Sequence, residues 1–242
     1  MMKIERVEVF GVAVPLVGEY KNAYKSKSIQ KSAIVRITAT GGAVGLGNID
    51  PSPGYSMETI EDSLEMLRTR LAGLVVGMDP TNIHRVLHKL EPAVEGFHDA
   101  KAAIEMACVD LTARVCGVPV HTYLGGAVKD RLMFNAWIGI LPPDEAAAET
   151  VSWQKRGFKS AKIKVGGNIE ADRDRVKAIR EAVGPDFNLR IDANAGYDAE
   201  TSIKLARMVL PYKLQLFEQP VPFDDIAGMA RVRREEIGRA HV

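Results

Sequence analysis

The sequence predicts an α/β protein in which an N-terminal α+β segment precedes four consecutive β/α units. Three observations carry this. Period-two alternation with a Gly41-Gly42 turn marks an antiparallel sheet near the start. Helix-forming segments fill residues 56–116. From Leu132 onward, short apolar strands alternate with helical segments across brief turns, the pattern of parallel strands covered by helices.

Taken in order, Ile4–Leu16 alternates charged and apolar residues and reads as the first strand, with Ser32–Thr40 and Ala43–Ile49 as the second and third. The polar stretch Gly18–Lys31, which carries Tyr20, Tyr24 and four lysines, reads as a loop. So does Asp50-Pro51-Ser52-Pro53-Gly54-Tyr55, whose prolines exclude a helix. Long loops of this kind are where substrate contacts concentrate. A helix is expected from Ser56 or Met57 to Gly73, with Glu58 and Glu61 at the positive end of its dipole. Asp79-Pro80 opens another that runs to Leu90, and a third covers Asp99–Cys116 and ends at Gly117. The later strands are expected at Leu132–Ile140, Ser160–Val165, Phe187–Asp192 and Lys213–Glu218. Their helices run from Asp144 to Gly157, then over Asn168–Val183, Asp198–Val209 and Asp224–Arg234.

Bulk properties narrow the function. With 46% hydrophobic and 26% charged residues, the 242-residue chain is ordinary for a globular protein of one large domain or two smaller ones. A net charge of +1 offers no electrostatic footprint for nucleic acid or an anionic membrane, so neither is expected as a partner. Cys108 and Cys116 lie on one helix about 12 Å apart, too far for a disulfide, and read as core residues of a reducing compartment. No secretory signal or spanning run is evident, and a cytoplasmic location is expected.

The chemistry concentrates at strand ends. Lys162 and Lys164 are two apart in a strand, so both ammonium groups project to one face. Like charges placed together are costly unless anions face them, and their proximity depresses a lysine pKa toward the range useful to a base. Asp192 and Glu218 end the next two strands. Carboxylates without nearby Cys or His suit Mg²⁺ or Mn²⁺ rather than zinc. A doubly wound sheet and a (β/α)8 barrel look alike at this level, but reactive residues at the C-terminal ends of three successive strands favour the barrel. Other motifs are weaker. The Gly41–Gly47 glycines precede no helix, Gly166-Gly167 lacks the rest of a P-loop, and His84 with His88 finds no third ligand.

Across nearly its whole length the chain resembles the mandelate racemase and muconate lactonizing enzyme branch of the enolase superfamily. The resemblance rests on the helix Ala102–Leu111 with Gly117-Val118-Pro119-Val120 and Leu124-Gly125-Gly126, on Lys162-Ile163-Lys164, on Asp192, and on Glu218-Gln219-Pro220. Asn48 departs from it, where a glutamate is common. The resemblance implies an N-terminal capping domain over residues 1–126 and, over 127–235, the first half of a (β/α)8 TIM-type barrel. It implies that Lys164 is the general base, that Lys162 lowers its pKa and neutralises charge, and that Asp192 and Glu218 hold two positions of a Mg²⁺ or Mn²⁺ site. Asn194 would support the site, while Tyr24 and Tyr55 in the two loops would meet a small carboxylate substrate. The implied reaction is proton abstraction α to the carboxylate, giving racemisation, epimerisation or cycloisomerisation by a homo-oligomeric parent. Dehydration of a sugar or hydroxy acid is the alternative within the superfamily, and a non-catalytic scaffold the alternative outside it.

The end of the chain departs from the pattern. Family members continue into strands bearing the third metal carboxylate and the opposing base. Residues 236–242 match an in-frame translation of a common sequencing adapter and look like no expected strand. They are read as an artefactual tail on a truncated chain. The product itself is expected to be inactive and poorly folded, with an open edge on its fourth barrel strand. Its inner strand faces, taken to include Ile163, Ile191 and Leu216, would lack their opposite wall.

Overall fold

The computed structural model describes residues 2–21, 26–52, 56–235 and 240–241. Two compact units form, Met1–Gly18 with Ser28–Asp130, and Glu19–Lys27 with Arg131–Val242.

β1 (Ile4–Lys21), β2 (Ser26–Ala39) and β3 (Val44–Ile49) make one sheet in that order, of which the first unit holds all but residues 19–21 and 26–27. The antiparallel register of the second pair sets Ala33 opposite Ile49 and Thr38 opposite Val44. β1 and β2 run well into the stretch expected to be a loop. Neighbouring strands satisfy each other's backbone groups, so polar residues can prolong paired strands without an apolar face. The helices are α1 (Ile60–Met66), which passes through a π-helical turn at Leu67–Leu71 into α2 (Ala72–Val75), then α3 (Ile83–Leu90), α4 (His98–Val115) and α5 (Val120–Tyr123).

Two helix starts differ from expectation. Thr59 caps α1 in a reciprocal box with Asp62. Glu58 lies ahead of that helix and instead accepts from Ser63 Oγ (2.5 Å) and the Asp99 N–H (2.8 Å) at the start of α4. Asn82 rather than Asp79 caps α3, because Asp79 turns onto Thr81. Gly117 follows α4 at φ +68°, as the sequence suggests.

Every second residue of β2 from Ala33 to Ala39 is buried, and these pack with Ala103, Ile104, Ala107 and Leu111 of α4 in one core. Gly45 and Gly47 bring β3 against α4 at backbone contact. A Cβ at Gly47 would stand 1.9 Å from the Ala103 carbonyl oxygen.

The second unit alternates β4 (Ala136–Ile138), α6 (Pro143–Lys155), β5 (Ser160–Lys164), α7 (Ile169–Val183), β6 (Asn188–Asp192), α8 (Ala199–Val209), β7 (Leu216–Glu218), α9 (Ile226–Glu235) and β8 (Ala240–His241). The five strands lie in chain order and every pair is parallel.

The first and fourth of these strands are shorter than expected. Leu132, Met133 and Phe134 are exposed ahead of β4. Before β7 the chain makes a 3₁₀ turn, Leu210–Tyr212, closed by Lys213 at φ +51°. The tail also departs from expectation. Ala240 and His241 pair with Phe217 and Glu218, so β7 does not leave its outer edge bare there. An unpaired strand edge accepts whatever extended backbone can reach it.

Ile163 and Ile191 do not belong to the lysine face. Both are fully buried in a core with Val176 and Ile179 of α7, because alternation turns them away from Lys162, Lys164 and Asp192. Leu216 does share the lysine face, in line with Arg190 and Lys162.

Candidate active site

Parallel register builds the site. Lys164 pairs with Asp192, and Asp192 with Glu218, so three charged residues stand in one row across β5, β6 and β7. Parallel partners share a face, and neighbouring strands lie about 4.8 Å apart, within reach of one another's side chains. Lys162 sits two residues back on the same face.

The ammonium and carboxylate groups interlock. Lys164 Nζ donates to Asp192 Oδ2 (2.5 Å) and to Asn194 Oδ1 (2.8 Å). Lys162 Nζ donates to both Glu218 oxygens at 3.1 Å and lies 3.3 Å from Asp192 Oδ2. The Asn194 N–H donates to Asp192 Oδ1 (2.9 Å). Asp192 at 1% exposure and Lys164 at 3% are shielded from water, whereas Lys162 and Glu218 are partly open. The structure therefore brings Lys162, Lys164, Asp192, Glu218 and Asn194 together. Tyr24 and Tyr55 lie outside the described residues.

The two lysines titrate differently. Burial is the largest influence on Lys164 and lowers its pKa, with the Lys162 charge adding in the same direction against the pull of Asp192. Proximity to Lys162 is thus the lesser cause of the depression that the sequence suggests. Burial is also the largest single influence on Lys162, but Asp192 and Glu218 together outweigh it and raise that lysine.

Beyond the strands the backbone takes rare conformations. Asn194 (φ 47°), Ala195 (φ 60°) and Gln219 (φ 39°) are left-handed, and the Ala195 N–H donates to the Gln219 carbonyl (2.8 Å). Such strain persists only where the surroundings over-determine it, and it clusters at functional sites.

Asp192 and Glu218 are hard oxygen donors at paired positions, and the Lys162 ammonium already rests between them as a cation. That donor set fits a small oxygen-liganded divalent ion. Among the described residues, no group of three His, Cys, Asp or Glu side chains converges as a metal site.

Trp137 was not singled out from the sequence, yet it pairs with Lys162 and stands on the same face. Strand parity could have found it, had the start of β4 been placed correctly.

Comparison with known proteins identifies the family to which the chain belongs. Residues 4–125 match the mandelate racemase/muconate lactonizing enzyme N-terminal domain, and residues 145–240 match the enolase C-terminal domain-like family. The L-Ala-D/L-Glu epimerase of Bacillus subtilis is 37% identical over an alignment of 237 residues that covers 96% of this chain and 64% of that protein. The N-succinyl Arg/Lys racemase of Bacillus cereus superposes with a TM-score of 0.93 at 30% identity, over 96% of this chain and 63% of that one. A dipeptide epimerase of Enterococcus faecalis, crystallised with Mg and L-Leu-L-Tyr, gives a TM-score of 0.92 at 34% identity, over 96% of this chain and 65% of that one. The chain thus spans a little under two thirds of the length of these relatives. Both halves of the match, N-terminal and C-terminal, place it in the mandelate racemase/muconate lactonizing enzyme family.

Proposed function

We propose that this chain carries the base side of a metal-assisted proton transfer at the carbon α to a carboxylate, serving racemisation or epimerisation of a dipeptide or N-acyl amino acid. The observation that supports it is the row Lys164–Asp192–Glu218 with Lys162 beside it. On this reading residues 1–126 form a capping domain and the following residues the opening strands of a (β/α)8 barrel. The epimerase and racemase names of the relatives favour this over dehydration or cycloisomerisation.

Lys164, once neutral, takes the α-proton on Nζ. Its bond to Asp192 supports the ammonium form, so base action requires the Asp192 charge to be engaged elsewhere. Asn194 Oδ1 orients the amine. Lys162 moves toward the substrate carboxylate and offsets the charge that grows there as the carbon acid ionises. Asp192 and Glu218 would hold Mg²⁺, whose charge would offset the negative charge that gathers on the substrate carboxylate. Tyr24 and Tyr55 would contact the rest of the substrate.

A single base suffices to exchange an α-proton with solvent. The full-length protein, incubated in D₂O with Mg²⁺ and a panel of dipeptides and N-acyl amino acids, is expected to incorporate α-deuterium, read by proton NMR. Lys164→Ala should lower that rate by about 10³-fold or more. Undiminished exchange in Lys164→Ala would defeat the reading.

A further inference from the structure

Behind the lysine row lies a second buried polar cluster that the sequence does not announce. Asp172 and Arg175 of α7 are 1% and 4% exposed, and they form an ion pair. Arg175 donates from Nε to the Leu141 carbonyl after β4 (2.6 Å) and from Nη1 to the carbonyl of Lys164 itself (3.3 Å). Asp172 Oδ2 accepts from the Gly166 and Gly167 N–H groups (3.2 and 3.1 Å), the turn directly after Lys164. It also accepts from the hydroxyl of Tyr197, on the loop after β6. That hydroxyl in turn accepts from the Gly166 N–H (2.8 Å). Burial and Asp172 both raise the Tyr197 pKa, so the phenol keeps the proton this geometry needs. The two loops meet backbone to backbone, since a Cβ at Gly196 would lie 2.9 Å from Gly166 Cα.

We propose that Asp172, Arg175 and Tyr197 are positioning residues for Lys164, tying the loops after β4, β5 and β6 into one unit that fixes where its strand ends. This rests on Lys164 being the base. Burying a carboxylate, a guanidinium and a phenol is costly unless every group is satisfied. Packing alone would be served by apolar residues. Here Asp172, Tyr197 and one nitrogen of Arg175 are spent on backbone at or just after the lysine, and the Arg175 Nε on the Leu141 carbonyl. The aim of the Lys164 side chain is set by its backbone, and small misplacements of a reacting group cost rate steeply.

The first test is amide exchange in the unaltered chain. Gly166 and Gly167 lie outside helix and strand, yet their N–H groups are expected to be protected as strongly as those of β5. Exchange as fast as in open loops would overturn the proposal. Tyr197→Phe, which keeps the ring, and Arg175→Gln are then expected to quicken exchange at Gly166 and Gly167 tenfold or more beyond any change at Val176–Ile179. In the α-proton exchange assay both should lower kcat at least tenfold while KM moves less than twofold. Acceleration spread evenly over the unit, or an unaltered kcat, would show a merely structural cluster and overturn it. Should Lys164→Ala retain full exchange, the base assignment fails and this role with it. That case is recognisable, because Gly166 and Gly167 would still be protected.

Discussion

Gly47→Ala should be among the most damaging single-methyl changes available to this chain. The added Cβ would stand 1.9 Å from the Ala103 carbonyl oxygen, 2.9 Å from its carbon and 3.0 Å from the Ala107 nitrogen. All three are backbone atoms of α4, so no rotamer can relieve the contact. β3 and α4 must part by about 1 Å, loosening Ala103, Ala107 and Leu111 along the seam. Overpacking commonly costs about 1–3 kcal/mol, and a clash with helix backbone belongs at or above the upper end. For a chain of this size that corresponds to a fall in Tm of roughly 6–12 °C. Gly73→Ala is the matched control. It adds the same methyl within α2, meets nothing within 4 Å, and should gain up to about 1 kcal/mol from helix propensity. Thermal and urea unfolding followed by circular dichroism would measure both. A Tm for Gly47→Ala within about 2 °C of the parent would show that the strand–helix seam is not where this unit is held.

Two further outcomes follow from charge and burial. Asp192→Ala leaves two ammonium groups facing each other and should cost about 3–5 kcal/mol, whereas Lys164→Met leaves Asp192 bonded to Lys162 and Asn194 and should cost about 1 kcal/mol; equal losses in urea titrations would contradict this. Cys116 is exposed and should react at once with an aromatic disulfide reagent, while buried Cys108 should stay silent until unfolding. Burial pushes the Cys108 thiol up to about 12, from the usual thiol range of about 8.5–9. The unfolded chain therefore releases that proton first, so this contribution to stability is intact below about pH 9 and is lost progressively from there to about pH 12. Cys108→Ala should flatten the alkaline fall in Tm, and an unchanged slope would disprove the assignment.

The site was legible because strand parity is a strict rule. Lys162 and Lys164 had to share a face, and strand ends had to bring Asp192 and Glu218 alongside. The same parity was misapplied to Ile163 and Ile191, which alternation assigns to the helices. Helix starts were read less well where several capping residues compete. Asp79 and Asn82 are equally plausible caps on sequence, and only the turn onto Thr81 decides between them. The packing role of Gly45 and Gly47 is invisible in the sequence, since a close approach between distant elements leaves no local mark. The Asp172–Arg175–Tyr197 cluster escaped for the same reason. Its members are ordinary helix and loop residues until the fold brings them behind Lys164.

Because the row Lys164–Asp192–Glu218 is held by sheet register, its vulnerability is digital rather than graded. Inserting or deleting one residue within β6 would turn Asp192 toward the helices and present Ile191 to the lysines, reversing every side chain of the strand at once. Length changes in the turns that lead from each helix into the next strand carry no such penalty. Lineages sharing this frame can thus vary the helix-to-strand turns in length, while the strands and the loops that hold Lys164 can drift only by substitution.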